Sequence, residues 1–457
     1  MAIMAARADA PHGTAPAPFL AGFADTPPDL PGAGRPWVEA LRAQGLETFA
    51  RLGVPTRKVE AWKYTDLRRL SKLSLAPAPV LTDGVPAGLD TLLAATGESH
   101  RVVFVNGWLR PDLSRLGGLP AGVRLGGLAA LIEADDPLVA ERLGRAVPEA
   151  SDAEPRPFLA LNAALMQDGY VLALDAGAVV DRPIHVVFWT EPGGVPAACF
   201  PRHLLVAGAN SRATVVEHHG GADDTPCLTV AAYEAAVDPG AKLRHYRLQR
   251  EGAQAVHLSH VLASVAADAA YESFVLTLGG ALTRNEGAAI LAGRNADLHL
   301  NGAYMVAGDA VVDNTTVIDH AEPDGRSREV FRGVLDDKAR GVFQGRIQVR
   351  RGAQRTDGYQ LSQAMLLSPG AEADNKPELE IFADDVKCSH GATAGEIDHD
   401  ALFYLRSRGI AEDVARALLI EAFIAETIDE IADEPVREQF LGAVRAWLIA
   451  HGERIPT

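Results

Sequence analysis

Cys199, Cys227 and Cys388 are the only cysteines in 457 residues. Odd in number and far apart, they supply neither a disulfide framework nor a CxxC zinc site. They are also too few for a cluster held by four thiolates of one chain. No Gly-Lys pair occurs, so a P-loop is excluded and any ATP dependence must come from a partner. G-x-S-x-G and H-E-x-x-H are absent as well, which removes the commonest hydrolase signatures. Aromatic residues make up 6% of the chain, a shortage that speaks against a sugar-stacking groove. Positive charge is in deficit, with 43 basic against 60 acidic residues and a formal charge of -17, which argues against a nucleic-acid surface. Long apolar runs are missing too. The most apolar stretch, residues 417–425, is interrupted by Glu421 and is far shorter than the ~20 residues of a spanning helix. The N-terminus lacks an uninterrupted apolar core of signal-peptide length, so a cytoplasmic, non-membrane protein is expected.

Read in order, residues 1–35 are rich in Ala, Pro and Gly without apolar periodicity, and are expected to form a disordered arm. Residues 36–157 form an N-terminal helical and transition region, opening with Trp37, Leu41, Leu46, Phe49 and Leu52 at near-helical intervals. Trp62 and Tyr64, set among charged residues, read as anchors of a short segment on a core. Residues 158–396 carry one repeated kind of text: short runs of Val, Leu, Ile and Thr alternating with turn signals. Many of those turns place Gly, Asp, Asn or Lys before an alanine. The alanines at 241, 269, 296, 310, 339 and 353 are separated by 28, 27, 14, 29 and 14 residues, close to multiples of fourteen. Such a beat predicts a solenoid, whose coils bury their inward faces only by stacking. The expected fold is therefore mainly β, a parallel β-helix, with a β-sandwich or jelly roll as the competitor.

Residues 397–457 return to helix. Asp398 and Asp400 can cap a first helix, a second runs from Ala411 to Ile431, and Pro435 starts a third. The second is apolar on more than one face: Val414, Leu418, Phe423, Ile424 and Ile428 are the candidates for contact with a neighbour. One face can pack on an adjoining helix, the other on the open end of the solenoid or on another protein.

Candidate chemistry is sparse. His218 and His219 are adjacent on a strand and must point to opposite faces; His257 and His260 meet the same objection, and His299 and His320 stand alone. Each reads as a satisfied or solvated histidine. Asp384 and Asp385, with Asp357 upstream, could form the carboxylate pair of a β-helix carbohydrate-active enzyme, but adjacent aspartates also suit a turn. Cys388 and His390 stand two apart at the end of a strand-like run, so they leave the same face, and both suit iron, zinc or copper. Taken alone, Cys388 reads more readily as a core thiol and His390 as its hydrogen-bonded neighbour.

Four stretches carry a resemblance: residues 313–322 (DNTTVIDHAE), 328–334 (REVFRGV), 360–368 (QLSQAMLLS) and 377–395 (PELEIFADDVKCSHGATAG). They resemble the SufB/SufD family of iron-sulfur cluster assembly proteins, and the runs around Lys387 and Arg57 are similar to its SufD branch. The resemblance spans from about Arg57 to the C-terminus. It implies a right-handed parallel β-helix between helical domains and a non-catalytic scaffold subunit working with SufB and the ATPase SufC. SufC would dock on the C-terminal helices, and SufB would pair through the solenoid. It further implies that iron or a nascent cluster forms at the SufB interface with His390, and with Cys388 beside it, while the isolated chain holds no cofactor. A flavin contribution is left open. A structural homodimer is the remaining alternative for the isolated chain.

Overall fold

The computed structural model describes residues 14–15, 17–25, 29–145, 155–222 and 225–454. The stretch expected to be solenoidal folds as coils of two strands each, and successive coils pair in parallel within two sheets. In the first sheet, Cys227–Val237, Ala255–Val265, Leu282–Leu291, Val311–His320, Arg340–Val349 and Glu372–Ile381 lie side by side. The second contains Arg212–Gly221, Lys242–Arg250, Ala270–Thr277, Asp297–Val306, Arg326–Leu335, Asp357–Leu366 and Lys387–Gly395. The sandwich and jelly-roll alternatives require antiparallel neighbours, and these neighbours are parallel.

The Ala-bearing turns prove to be the corners. Gly240, Asp268 and Asn295 hold positive φ, at 72°, 57° and 58°, and each is followed by a buried alanine, Ala241, Ala269 or Ala296. A left-handed residue swings the chain through the corner, where Gly, Asn and Asp are tolerated best, and the methyl is small enough to stack beneath the next coil. Paired positions one coil apart, such as Asn285 and Asn314, are 29 residues apart, one more than two beats of fourteen.

Alternate residues of both sheets face the interior, where Tyr170, Val215, Tyr233, Leu243, Tyr271 and Leu298 share one core. The outward faces are covered too. Phe19, Trp62, Phe158 and their neighbours pack on Leu228, Val230, Val256, Leu258 and Leu282 of the first sheet. Two C-terminal helices, Glu412–Ile428 and Glu434–Ala450, bury Ile420, Ile424, Phe440 and Val444 with Leu248, Phe274, Met305 and Val334 of the second sheet. Trp62 thus acts as the anchor its sequence context suggests.

Two expectations need correction. Most of residues 1–16 and residues 26–28 lie outside the described residues, but Pro18–Leu20 is helical and Phe19 and Leu20 are each 1% exposed, so this part of the expected arm is packed. Two large apolar side chains close together outweigh the Ala/Pro-rich composition around them. The long C-terminal helix, expected to pack on the open end of the solenoid or on another protein, instead lies along a sheet face. The apolar outer face of the second sheet supplies more contact than a strand edge can.

The ends of the solenoid differ. At the N-terminal end, Val123–Gly127 pairs antiparallel with Tyr170–Leu174, and Trp108–Leu109 pairs antiparallel with Arg101–Val105. At the other end Glu372–Ile381 and Lys387–Gly395 are the last strands of their sheets, and among the described residues no strand pairs with their far edges.

Candidate functional site

Cys388 and His390 sit on this last strand, opposite Gly358 and Gln360 of the coil beneath. Both belong to the inward-facing set. Cys388 is half-buried against the interior core, and His390, one pleat further, is exposed. Gly358 makes the seat for the thiol: a Cβ there would lie 3.4 Å from Cys388 Sγ. Burial raises the pKa of this thiol, and the charge of Asp357 adds to the effect. The thiol therefore stays protonated in the free chain and needs a nearby cation to become a thiolate ligand.

Beneath His390 the same inward column continues through Gln360 to Glu329. Gln360 Nε2 donates to Glu329 Oε2 at 2.6 Å, and both residues are fully buried. Burial pushes the Glu329 carboxyl up to about 7, against the hydrogen bond from Gln360 that lowers it. A folded pKa above the unfolded one means the folded chain holds the proton more tightly, so stability is lost as pH rises from about 4.5 through 7. Glu329→Gln should remove this slope and leave the chain up to ~3 kcal/mol more stable than wild type at pH 8. Urea unfolding at pH 5 and pH 8 measures it; equal pH dependence in both proteins would sink the assignment.

Other candidates fall away from this mouth. Asp384 and Asp385 lie in the exposed bend between the last two strands, where Asp385 N donates to Gln354 Oε1 at 2.9 Å. They form a bend, in keeping with the turn reading. Of the five apolar residues expected to face a neighbour, Ile424 and Ile428 are fully buried inside the chain. They cannot meet a partner, because the helix uses that face on Leu248, Phe274 and Phe440. Phe423 is half-buried beneath the Arg332 guanidinium, 5.1 Å from its ring centre, and Val414 and Leu418 are also half-buried. The prominent exposed apolar groups of this end are Phe403, at 73%, and Tyr404 on helix His399–Ser407, with Phe382 beside the last coil.

Comparison with known proteins bears on what such a mouth is for. The family described as SUF system FeS cluster assembly, SufBD core domain, matches residues 188–423, more than half of the chain, and the SufBD protein N-terminal region matches 95–186. The chain belongs to the SufBD family. Relatives include the iron-sulfur cluster assembly protein SufD of Escherichia coli, 35% identical over 90% of this chain and 92% of that protein. An iron-sulfur cluster assembly SufBD family protein of Synechocystis is 30% identical over 85% of this chain and 86% of its own. The chloroplastic protein ABCI7 of Arabidopsis thaliana is 27% identical over 94% and 91%. The SufBD core match takes in the terminal coil with Cys388 and His390 and most of the interior described next, Tyr170 and His185 lying before it.

Inside the N-terminal coils of the solenoid lies a polar centre that no spacing along the chain reveals. Glu217 is fully buried and accepts four hydrogen bonds: from Tyr170 (2.7 Å) and His245 (2.9 Å) on Oε1, and from His219 (2.9 Å) and Tyr233 (2.9 Å) on Oε2. Burial would raise its pKa, but His245 and His219 outweigh that and hold the carboxylate well below its usual range. His218, as its neighbour's opposite, points outward and meets His185 at 2.9 Å. His257 is also inward, paired with Glu251 at 2.9 Å, whereas His260 faces out to Glu286 at 3.0 Å. The opposite-face argument therefore holds for each histidine pair. It misses that His219 and His257, from different sheets, come together.

No helix among the described residues is long and apolar enough to cross a membrane.

Proposed function

We propose that this chain serves iron-sulfur cluster assembly as a SufD-type scaffold subunit, contributing half of a site that a SufB partner completes. The observation that carries the reading is the open terminal coil. Among the described residues nothing pairs with the two strand edges that end the solenoid, and His390 stands exposed at its mouth with the Cys388 thiol set one pleat deeper. A parallel edge left free is a template for another chain's strand. An imidazole and a thiol are ligands that suit iron, yet two ligands with the thiol held protonated make an incomplete site. Iron and sulfide are cargo here, and ATP hydrolysis is assigned to the partner SufC, for which the exposed Phe403 and Tyr404 on the C-terminal helices offer contacts in place of Ile424 and Ile428. When SufB is absent the same edge is available to a second copy of the chain.

The test is His390→Ala in the complex co-expressed with SufB and SufC. Because His390 is exposed, the complex should still assemble, while its iron and sulfide content falls on the order of tenfold. Unchanged iron and sulfide in an intact complex would remove His390 from the site.

A further inference from the structure

Three buried side chains from three elements meet where the two sheets face each other. His219 comes from Arg212–Gly221, His257 from Ala255–Val265, and Glu251 from the corner that follows Lys242–Arg250. Each offers a ligand atom, and the three atoms lie within 4.8 Å of one another. Both oxygens of Glu251 lie on the Nδ1 side of the His257 ring, at 3.0 and 2.9 Å, so Nδ1 is the atom that His257 turns toward Glu251, and a cation can take the place of the proton the two share. His257 Nε2, on the far side of the ring, then carries the proton.

His219 is held differently. Its Nε2–H donates to Glu217, so the tautomer is fixed and Nδ1 keeps its lone pair. A carboxylate behind a ligating imidazole is the usual outer partner in metal sites. Beside the triad is a cavity of about 10 Å³, room for one small particle, lined by His219, Glu251, Thr229 and Cys199. The thiol of Cys199 is in register with Thr229, and Thr229 with His257, so all three belong to one inward column.

We propose that His219, Glu251 and His257 bind a divalent transition ion, zinc or ferrous iron, within the solenoid, with Cys199 on the open side of that ion. Two imidazoles and one carboxylate suit these ions, whereas calcium and magnesium call for a shell of oxygens. The site is several coils from His390 and does not rest on the role proposed for that residue.

Cobalt(II) alone, titrated into the chelator-treated full-length chain, is the probe. One ion per chain should bind, with the visible d–d absorption of a low-symmetry site. Glu251→Gln and His257→Gln should each weaken binding tenfold or more, and His390→Ala should leave it unchanged. Cys199→Ala should shift the spectrum without abolishing it. No uptake by the folded wild-type chain, uptake within twofold of wild type in folded Glu251→Gln, or loss of uptake in His390→Ala overturns the proposal. Should both buried variants fail to fold, a zinc-soaked wild-type crystal decides: an anomalous peak among the three side chains supports the site, and a peak elsewhere or none removes it.

Discussion

Glu217→Gln should cost ~3–5 kcal/mol of stability, the range found when one partner of a buried charged network is removed. The substitution keeps the shape and changes only the hydrogen-bonding sense. Tyr170 and His245 donate to one oxygen and His219 and Tyr233 to the other, so whichever way the amide turns, its NH₂ faces two donors. Hydrogen bonds to a charged acceptor are the stronger kind, and their loss strands buried groups. The pH dependence follows from the lowered pKa. The unfolded chain takes up the proton first, so this stability is present above a pH of about 4.5 and drains as pH falls toward the lower folded value. Acid unfolding of wild type and variant, followed by near-ultraviolet circular dichroism, tests both halves. A variant within ~1 kcal/mol of wild type at pH 7 would show that the four contacts do not act as a unit.

Arg284→Met should be comparably damaging, again by ~3–5 kcal/mol, and for a different reason. Arg284 is among the largest fully buried side chains and ties the N-terminal segment to the first sheet. Its guanidinium bonds to Asp313, donates to Glu286 Oε1 at 2.7 Å and to the Ala61 carbonyl at 2.9 Å, and lies 4.0 Å from the centre of the Trp62 ring. Methionine fills much of the space but leaves Asp313, which is fully buried, with only Thr65 and Thr315. Adding Asp313→Asn should therefore recover part of the loss, since the stranded charge is what costs most. Urea midpoints of the two single variants and the double variant give the coupling. Additive losses would mean the two residues do not interact.

The solenoid was legible because its two causes are local. Alternating apolar runs and a left-handed residue followed by alanine recur along the chain, and each corner is encoded within a few residues. Placement of the covering layers was not legible. The apolar faces of Glu412–Ile428 are visible in the sequence, but which sheet face receives them depends on a complementary surface built from Phe274, Met305 and Val334, far away in the chain. The interior centres were hidden for the same reason. Reasoning along one strand separates His218 from His219 correctly, yet the neighbours that matter to His219 are Glu251 and His257, brought in by the stacking of coils. Cys388 and His390 stood out because their relationship needs only one strand.

The unlike ends of the solenoid set a limit on assembly. A stack of coils open at both ends could add copies head to tail without closure and grow into a fibre. Here the outermost strands at one end, Val123–Gly127 and Trp108–Leu109, run antiparallel to their neighbours, whereas those at the mouth run parallel, so the two ends present unlike edges and like edges meet mouth to mouth. A chain of this shape, meeting another of the same kind mouth to mouth, makes a pair and stops.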